Sequence, residues 1–178
     1  MTYIYQYPRP AVTVDIILIT SKGKLLLIQR KNPPFQNHWA FPGGFIEMEE
    51  TGLTSAKREL EEETGIKINN LIPIGFADEV KRDPRGRTIS LLFLGILKKE
   101  LPPQAQDDAK NARWFFLNNL PPLAFDHSSI LKNSLETLKI LIKCQREHLK
   151  NTFQLTFSEL KELDNLISPE KKTFFHSS

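Results

Sequence analysis

The sequence has few of the features that mark secreted or membrane proteins. Its 178 residues include one cysteine, Cys144, which excludes an internal disulfide and suits a reducing compartment. Its longest apolar run, Ile16–Ile19, is only four residues long, whereas a membrane helix needs roughly 20. The first ten residues lack the basic start and apolar run of a signal peptide. We therefore expect a cytoplasmic protein with no membrane partner.

An excess of one charge is also missing. Lys and Arg number 24 and Asp and Glu number 21, so the formal net charge of +3 gives no argument for nucleic acid as a partner. The charges are nevertheless unevenly placed, because 47–63 is strongly acidic and 81–87 holds four basic residues in seven. An acidic patch facing a basic loop favours a metal site beside an anionic ligand. The alternative is two unrelated solvated surfaces.

Size and composition indicate one domain with a small appendage. The sequence is 40% hydrophobic and 25% charged, which is ordinary for a globular protein and sufficient for an enclosed core without disulfides. We expect the main domain over 1–148 and a short helical appendage with a frayed tail over 149–178. Thr156 and Glu159 form a predicted capping box at the start of the appendage helix, with Leu155 packing against Leu160.

Local patterns predict strands around two longer helices. In the first helix Leu53, Ala56 and Leu60 recur on one face, and Gly65 supplies a stop signal. This order of elements is typical of an α/β sandwich rather than a doubly wound parallel sheet. Strands are predicted at 11–20, 25–30, 66–80, 88–97 and 113–117, and longer helices at 53–64 and 128–147.

Three glutamates of the first helix share one face. Glu59, Glu62 and Glu63 stand at i, i+3 and i+4. Like charges at this spacing oppose the helix by roughly 0.2–0.5 kcal/mol per pair, so a compensating cation is expected. Magnesium suits such a cluster because it prefers oxygen ligands and bridges to phosphates. Taken alone, three glutamates at this spacing are more typical of a solvated helix face than of a metal site.

The residues next to these glutamates suit the same chemistry. Gly43 and Gly44 precede the helix in a loop whose backbone carbonyls can approach a metal closely. Arg58, four residues before Glu62, is placed to hold a carboxylate. Divalent ions neutralise phosphoryl oxygens and help generate a hydroxide nucleophile, which is most of what hydrolysis of a diphosphate requires.

The segment from Gly44 to Ile66 resembles the Nudix box, and the wider domain over about 7–146 also looks Nudix-like. The resemblance implies an α/β/α sandwich with a mixed sheet and a loop–helix–loop catalytic motif. It implies hydrolysis of a nucleoside diphosphate linked to another group. It also implies Mg²⁺ or Mn²⁺ bound by Glu59, Glu62, Glu63 and the Gly43 carbonyl, with Glu50 and Arg58 in supporting roles. The matching positions are Gly44, Glu50, Arg58, Glu59, Leu60, Glu62, Glu63, Gly65 and Ile66.

Four further segments, 7–15, 39–45, 82–87 and 123–131, resemble a Nudix branch that contains ADP-ribose pyrophosphatases and ADP-ribose-sensing transcription regulators. The resemblance implies ADP-ribose as substrate and a homodimer. Nucleotide sugars, oxidised nucleoside triphosphates and dinucleotide cofactors are the alternative substrates. A regulator is the alternative function, since 153–167 looks like the first helix of a truncated DNA-binding module. The intact carboxylate set favours turnover over sensing.

Arginines are the predicted ligands of the diphosphate or the terminal ribose, because the guanidinium fork matches phosphate oxygens. The candidates are Arg30, Arg85 and Arg87. Arg87 is preferred, since Gly86 lets the loop turn tightly beside it. A basic hairpin tip in water is the alternative.

Aromatic residues are the predicted contacts of the adenine ring. Phe35, Trp39 and Phe45 are candidates for stacking, although such residues more often belong to the core. His127, just before the terminal helix, fits a structural role better than a catalytic one.

The general base is left open. Related enzymes carry an acidic residue in the loop that here contains Asp107 and Asp108, and either carboxylate suits the role if it reaches the attacking water. Glu79, Asp83 and Glu63 are the alternatives.

Overall fold

A mixed sheet forms the centre of the computed structural model, which describes residues 6–105 and 109–168. In this part of the chain the sheet contains the strands β1 (Ala11–Thr20), β2 (Lys24–Arg30), β3 (Trp39–Ala40), β4 (Gly43–Phe45), β5 (Ile72–Ala77), β6 (Thr88–Leu97) and β7 (Ala109–Phe116). Five of the seven run in the order β3-β2-β1-β6-β5, while β4 pairs with β1 and β7 pairs with β2. The helices are α1 (Gly52–Thr64), α2 (His127–Cys144), α3 (Arg146–Phe153) and α4 (Phe157–Ile167).

Strand β1 lies at the middle of this sheet and is buried on both faces. It pairs in parallel with β6 along its whole length, from Ala11 opposite Thr88 to Thr20 opposite Leu97. Its side chains alternate between two apolar clusters: Ile17 packs on the side of α2, α3 and α4, and Ile16 on the side of α1. A strand covered on both faces is a continuous apolar run, which explains the sequence pattern here. Helices on both faces of a mixed sheet confirm the predicted fold class.

Helix α1 begins and ends where local capping signals dictate. The Thr51 hydroxyl accepts a hydrogen bond from the Thr54 amide, and Gly65 adopts φ +69° so that its own amide bonds to the Glu61 carbonyl at 2.7 Å. Ala56 and Leu60 are fully buried, whereas Leu53, which begins the same apolar pattern, is 40% exposed.

Several element boundaries differ from the predictions. The strand predicted over 66–80 is ordered as β5 only from Ile72 to Ala77, because Ile66 and Leu71 are buried as apolar anchors in the loop after α1 rather than as ladder residues. The helix predicted over 128–147 is divided at Gln145, whose backbone leaves the helical region (φ −131°, ψ 33°). Strands β3 and β4 lie in a stretch predicted as loop, and β7 starts before the predicted 113.

The last two helices complete the apolar core on one face of the sheet. The predicted capping box is present in α4: the Glu159 amide donates to Thr156 Oγ1 at 3.2 Å, and the Thr156 amide donates to Glu159 Oε2 at 2.7 Å. Leu155 and Leu160 are buried in the same cluster as Ile17 of β1. The division at 148/149 into domain and appendage stays a prediction. Within 6–105 and 109–168, no helix combines the length and apolar character of a bilayer span.

Because α4 shares the core of the sheet, shortening one of its buried side chains should destabilise the whole protein. Leu160 is 0% exposed, and Leu160→Ala is expected to lower the free energy of unfolding by about 2–5 kcal/mol. Leu166→Ala is the matched control, since Leu166 of the same helix is 40% exposed and should cost about 1 kcal/mol or less. Urea denaturation followed by circular dichroism measures both. Equal effects of the two changes would contradict this packing.

Candidate active site

A cavity of about 710 Å³ lies among β1, β2, β4, α1 and the loops that precede β6 and α2. Its volume is in the range of sites that hold small molecules. The lining combines acidic side chains from one helix with basic side chains from elsewhere in the fold. Those that bear on the chemistry are Glu59, Glu62, Glu63, Arg30, Arg82 and Arg85.

Arg58 joins the carboxylates of the acidic wall. Its Nη1 donates to Glu59 Oε1 at 2.9 Å and to Glu62 Oε2 at 2.8 Å, and its Nε donates to Glu50 Oε1 at 2.7 Å. The predicted Arg58–Glu62 contact is therefore present. The Arg58 hydrogen bond lowers the pKa of Glu50 from 4.5 to about 2, and the same bond raises the pKa of Arg58. One guanidinium thus offsets the repulsion that three nearby carboxylates would otherwise exert.

The loop before α1 fits closely around two of these carboxylates. The Gly43 amide donates to Glu63 Oε2 at 2.9 Å, and Glu63 is only 7% exposed. A Cβ on Gly44 would lie 2.6 Å from Glu59 Oε2, a distance that real side chains do not adopt. Position 44 therefore requires glycine if the Glu59 carboxylate is to lie where it does.

The donor set of this wall suits a hard divalent cation. It consists of three carboxylates on one helix next to a glycine-rich backbone. Burial raises the pKa of Glu59, and the Arg58 hydrogen bond only partly lowers it, so a cation nearby would favour the ionised form. Within the part of the chain that the structure describes, no three acidic, His or Cys side chains lie close enough together to form a metal cluster. Arg58 instead bridges Glu59 and Glu62. The oxygen donors of this wall are nevertheless of the type that a divalent cation prefers.

A buried charged network that was not predicted from the sequence forms part of the cavity lining. Arg82 is 8% exposed and donates to Asp126 through Nε and Nη2, both at 3.0 Å. Its Nη2 also lies 3.3 Å from Asp15 Oδ2, which accepts a further hydrogen bond from Ser90. The network ties β1 and β6 to the loop before β6 and to the start of α2. Asp15 gave a signal, because a charged residue inside the apolar run of β1 needs a buried partner.

His127 closes this network as a neutral imidazole. Its Nδ1 accepts a hydrogen bond from the Phe41 amide at 3.0 Å, so the proton lies on Nε2, which is 3.5 Å from Asp15 Oδ1. Burial lowers the pKa of His127, and the charge of Asp15 opposes this only in part. These contacts favour the structural role.

Two of the predicted arginines and one predicted aromatic residue line the cavity. These residues are Arg30, Arg85 and Phe45. Both guanidinium groups lie near the ring of Phe125, which was not predicted as a site residue. Phe35 packs against Phe125 with ring centroids 4.8 Å apart and does not line the cavity.

Arg87 and Trp39 make other contacts. Arg87 Nη1 donates to the carbonyl oxygens of Asp78 at 2.6 Å and Glu79 at 3.2 Å, and the residue does not line the cavity. Trp39 packs edge-on against Phe115 with ring centroids 4.6 Å apart. The substrate roles assigned to the arginines and aromatic residues stay predictions.

The candidates for general base differ in where they lie relative to the cavity. Asp107 and Asp108 lie outside the described residues, whereas Glu63 lines the cavity. Asp83 also lines it but is held by Arg85 through both Nε and Nη2. Burial raises the pKa of Asp83, yet the hydrogen bonds and charge of Arg85 outweigh burial and leave that pKa lowered. Asp83 is thus a poor proton acceptor among these residues.

The sequence is similar to a known family and to characterised proteins. A NUDIX domain model matches residues 9–135. An ADP-ribose pyrophosphatase from Methanocaldococcus jannaschii is 49% identical over 130 residues, which cover 71% of this chain and 74% of that protein. The ADPR responsive transcriptional repressor NtrR from Acinetobacter baylyi is 34% identical over 139 residues, which cover 74% of this chain and 56% of the repressor.

Solved structures share the fold. A MutT/nudix family protein from Enterococcus faecalis superimposes with a TM-score of 0.81 at 28% identity, covering 93% of this chain and 76% of that one. A bifunctional NMN adenylyltransferase/ADP ribose pyrophosphatase from Francisella tularensis, complexed with AMP and a Mn ion, gives a TM-score of 0.68 at 32% identity. That superposition covers 74% of this chain and 43% of the bifunctional protein.

The Arg58–Glu50 pair should make stability depend on pH in a defined window. Because folding lowers the pKa of Glu50 from 4.5 to about 2, its contribution is fully present above about pH 4.5 and is lost as the pH falls toward 2. Glu50→Gln should therefore lower the melting temperature most above pH 4.5, and the difference from wild type should shrink below it. Thermal unfolding between pH 2 and 6 measures this difference, with Glu49→Gln as the control. A difference that stays constant with pH would contradict the assignment.

Proposed function

Because this chain belongs to the Nudix family and is a Nudix hydrolase, we propose that it cleaves the diphosphate bridge of ADP-ribose to give AMP and ribose 5-phosphate. The observation that carries the reaction is a single cavity lined both by the three glutamates of α1 and by Arg30 and Arg85. This combination suits a diphosphate held through a cation on one side and through guanidiniums on the other. The 49% identity to an ADP-ribose pyrophosphatase supports the choice of substrate.

We propose Mg²⁺ as the cofactor, with Mn²⁺ as the alternative. Glu59, Glu62, Glu63 and the Gly43 carbonyl would hold it, and a Mn ion in the related pyrophosphatase structure supports a divalent cation. When bound, the cation supplies charge neutralisation at the phosphoryl oxygens and lowers the pKa of a water molecule. Arg58 fixes the Glu59 and Glu62 carboxylates in advance, so less side-chain entropy is lost on binding.

The remaining residues orient the substrate and accept the proton. Arg30 and Arg85 would donate to oxygens of the diphosphate, and the half-exposed Phe45 ring would contact the adenine face. The proton of the attacking water would pass to Glu63 or to a carboxylate in 107–108. The homodimer expected from the family resemblance stays a prediction.

A second candidate, an ADP-ribose-sensing regulator, draws on the 34% identity to the repressor NtrR. This chain covers only 56% of that repressor, and the pyrophosphatase is the more similar of the two. Hydrolysis therefore has the stronger support.

One assay separates the candidates. The purified protein is incubated with ADP-ribose and Mg²⁺, and AMP and ribose 5-phosphate are expected as products. Faster turnover of a nucleotide sugar, a dinucleotide cofactor or an oxidised nucleoside triphosphate would overturn the choice of substrate. Tight binding of ADP-ribose without products, together with a salt-sensitive DNA gel shift, would favour the regulator.

The two glutamates at the end of α1 should be essential for turnover. Glu62→Gln and Glu63→Gln each remove a charged oxygen ligand and are expected to lower kcat by about a hundredfold or more while leaving the fold intact. Glu61→Gln is the matched control, because Glu61 lies on the same helix but pairs with the exposed Lys67. Steady-state kinetics with ADP-ribose and Mg²⁺ measures all three variants. Wild-type rates for Glu62→Gln and Glu63→Gln would contradict the proposed metal site.

Gly44 provides a separate test of the cation site. In Gly44→Ala the new Cβ would lie 2.6 Å from Glu59 Oε2, so the carboxylate must move. We expect Mn²⁺ affinity, measured by electron paramagnetic resonance without substrate, to fall by about tenfold or more. Circular dichroism should show an unchanged fold. An unaltered Mn²⁺ affinity would show that Glu59 does not bind the cation from this position.

A further inference from the structure

Phe125 is an aromatic residue at the cavity that the proposed reaction does not use. Its backbone adopts φ +52°, the left-handed region that bulky side chains rarely occupy. The residues on both sides are fixed, because the Ala124 amide donates to the Trp39 carbonyl at 2.7 Å and Asp126 binds Arg82. The surrounding structure therefore holds Phe125 in an unfavourable conformation.

This conformation places the Phe125 ring next to two cations. The Cζ atom of Arg30 lies 4.9 Å from the ring centroid, and that of Arg85 lies 5.8 Å from it. Both distances are within the range over which an aromatic face attracts a guanidinium. All three residues line the cavity.

Other contacts fix each guanidinium in the same place. Arg30 Nε donates to the Pro34 carbonyl at 2.8 Å. Arg85 is held by Asp83 and also lies 5.3 Å from the Phe45 ring centroid. Two like charges near one ring repel each other, and the Phe125 ring offsets part of that repulsion.

We infer that Phe125 is a positioning residue, whose ring holds Arg30 and Arg85 together as a two-cation pocket for the diphosphate of the substrate. The inference rests on the proposed function and deepens it by naming how the anion is bound. Guanidiniums that are already in place lose less freedom when the anion arrives, so the gain appears as affinity for the diphosphate.

The test uses inorganic diphosphate, which carries the required charge whatever group the natural substrate bears. Its Kd is measured by calorimetry at low ionic strength in EDTA, so that neither turnover nor a cation contributes. Phe125→Leu, which keeps apolar bulk but removes the ring, is expected to raise Kd about tenfold. Phe125→Tyr keeps the ring and should stay within about twofold of wild type.

Phe157→Leu is the matched control. Arg146 Cζ lies 4.9 Å from the Phe157 ring centroid, the same distance as in the Arg30–Phe125 pair, but Phe157 does not line the cavity. This variant should leave Kd within about twofold of wild type, since losing a cation–π contact elsewhere does not alter the pocket. Melting temperatures confirm that each variant is folded.

A double-mutant comparison separates positioning from direct contact. In a protein that carries Arg30→Gln and Arg85→Gln, adding Phe125→Leu should change Kd by less than about twofold, because the ring acts through the arginines. An equal tenfold loss in that background would overturn the inference, as would an unchanged Kd for Phe125→Leu alone or no binding by the wild type. Failure of the wild type to hydrolyse ADP-ribose would reject only the proposed substrate and leave these comparisons valid.

Discussion

The Arg58 guanidinium is the group around which the acidic wall of the cavity is arranged. It donates to Glu50 in the loop before α1 and to Glu59 and Glu62 in the last two turns of the helix, three carboxylates that would otherwise repel one another. The capping signals of α1 fix the helix in register, and the glycine loop before it fits against the carboxylates. Arg58 therefore orders these side chains, and the excess negative charge of the wall suits a multivalent cation better than one arginine.

Much of the fold was predictable because its signals are local. The helix α1 and the existence of the strands β1 and β6 follow from apolar patterns and capping residues, and the α4 capping box follows from a four-residue pattern. Tertiary contacts determine the rest. Ile66 and Leu71 are apolar enough for a strand, but they lie in a loop and their side chains are buried in the core. Gln145 ends α2 although the apolar pattern of the sequence continues past it. Neither feature has a signature in neighbouring residues.

In the candidate site, too, some residues are placed by local sequence patterns and others by tertiary contacts. Helical spacing alone brings Glu59, Glu62 and Glu63 onto one face and places Arg58 beside Glu62. The basic side depends on residues distant in sequence, so an arginine-rich loop could be recognised, but the sequence did not show which of its members line the cavity. Arg87 binds backbone carbonyls of its own loop, while Arg82, which was not predicted as a site residue, is buried between two aspartates. These partners are 44 and 67 residues away from Arg82.

The proposed chemistry requires the glutamate face of α1 to bind divalent cations against the diphosphate of the substrate. Crystals soaked with Mn²⁺ and a non-cleavable ADP-ribose analogue, measured by anomalous diffraction, would reveal such cations. Manganese peaks are expected within about 2.3 Å of carboxylate oxygens of Glu59, Glu62 and Glu63, beside the bridging phosphates. Crystals that hold the analogue but show no manganese at these oxygens would contradict this assignment.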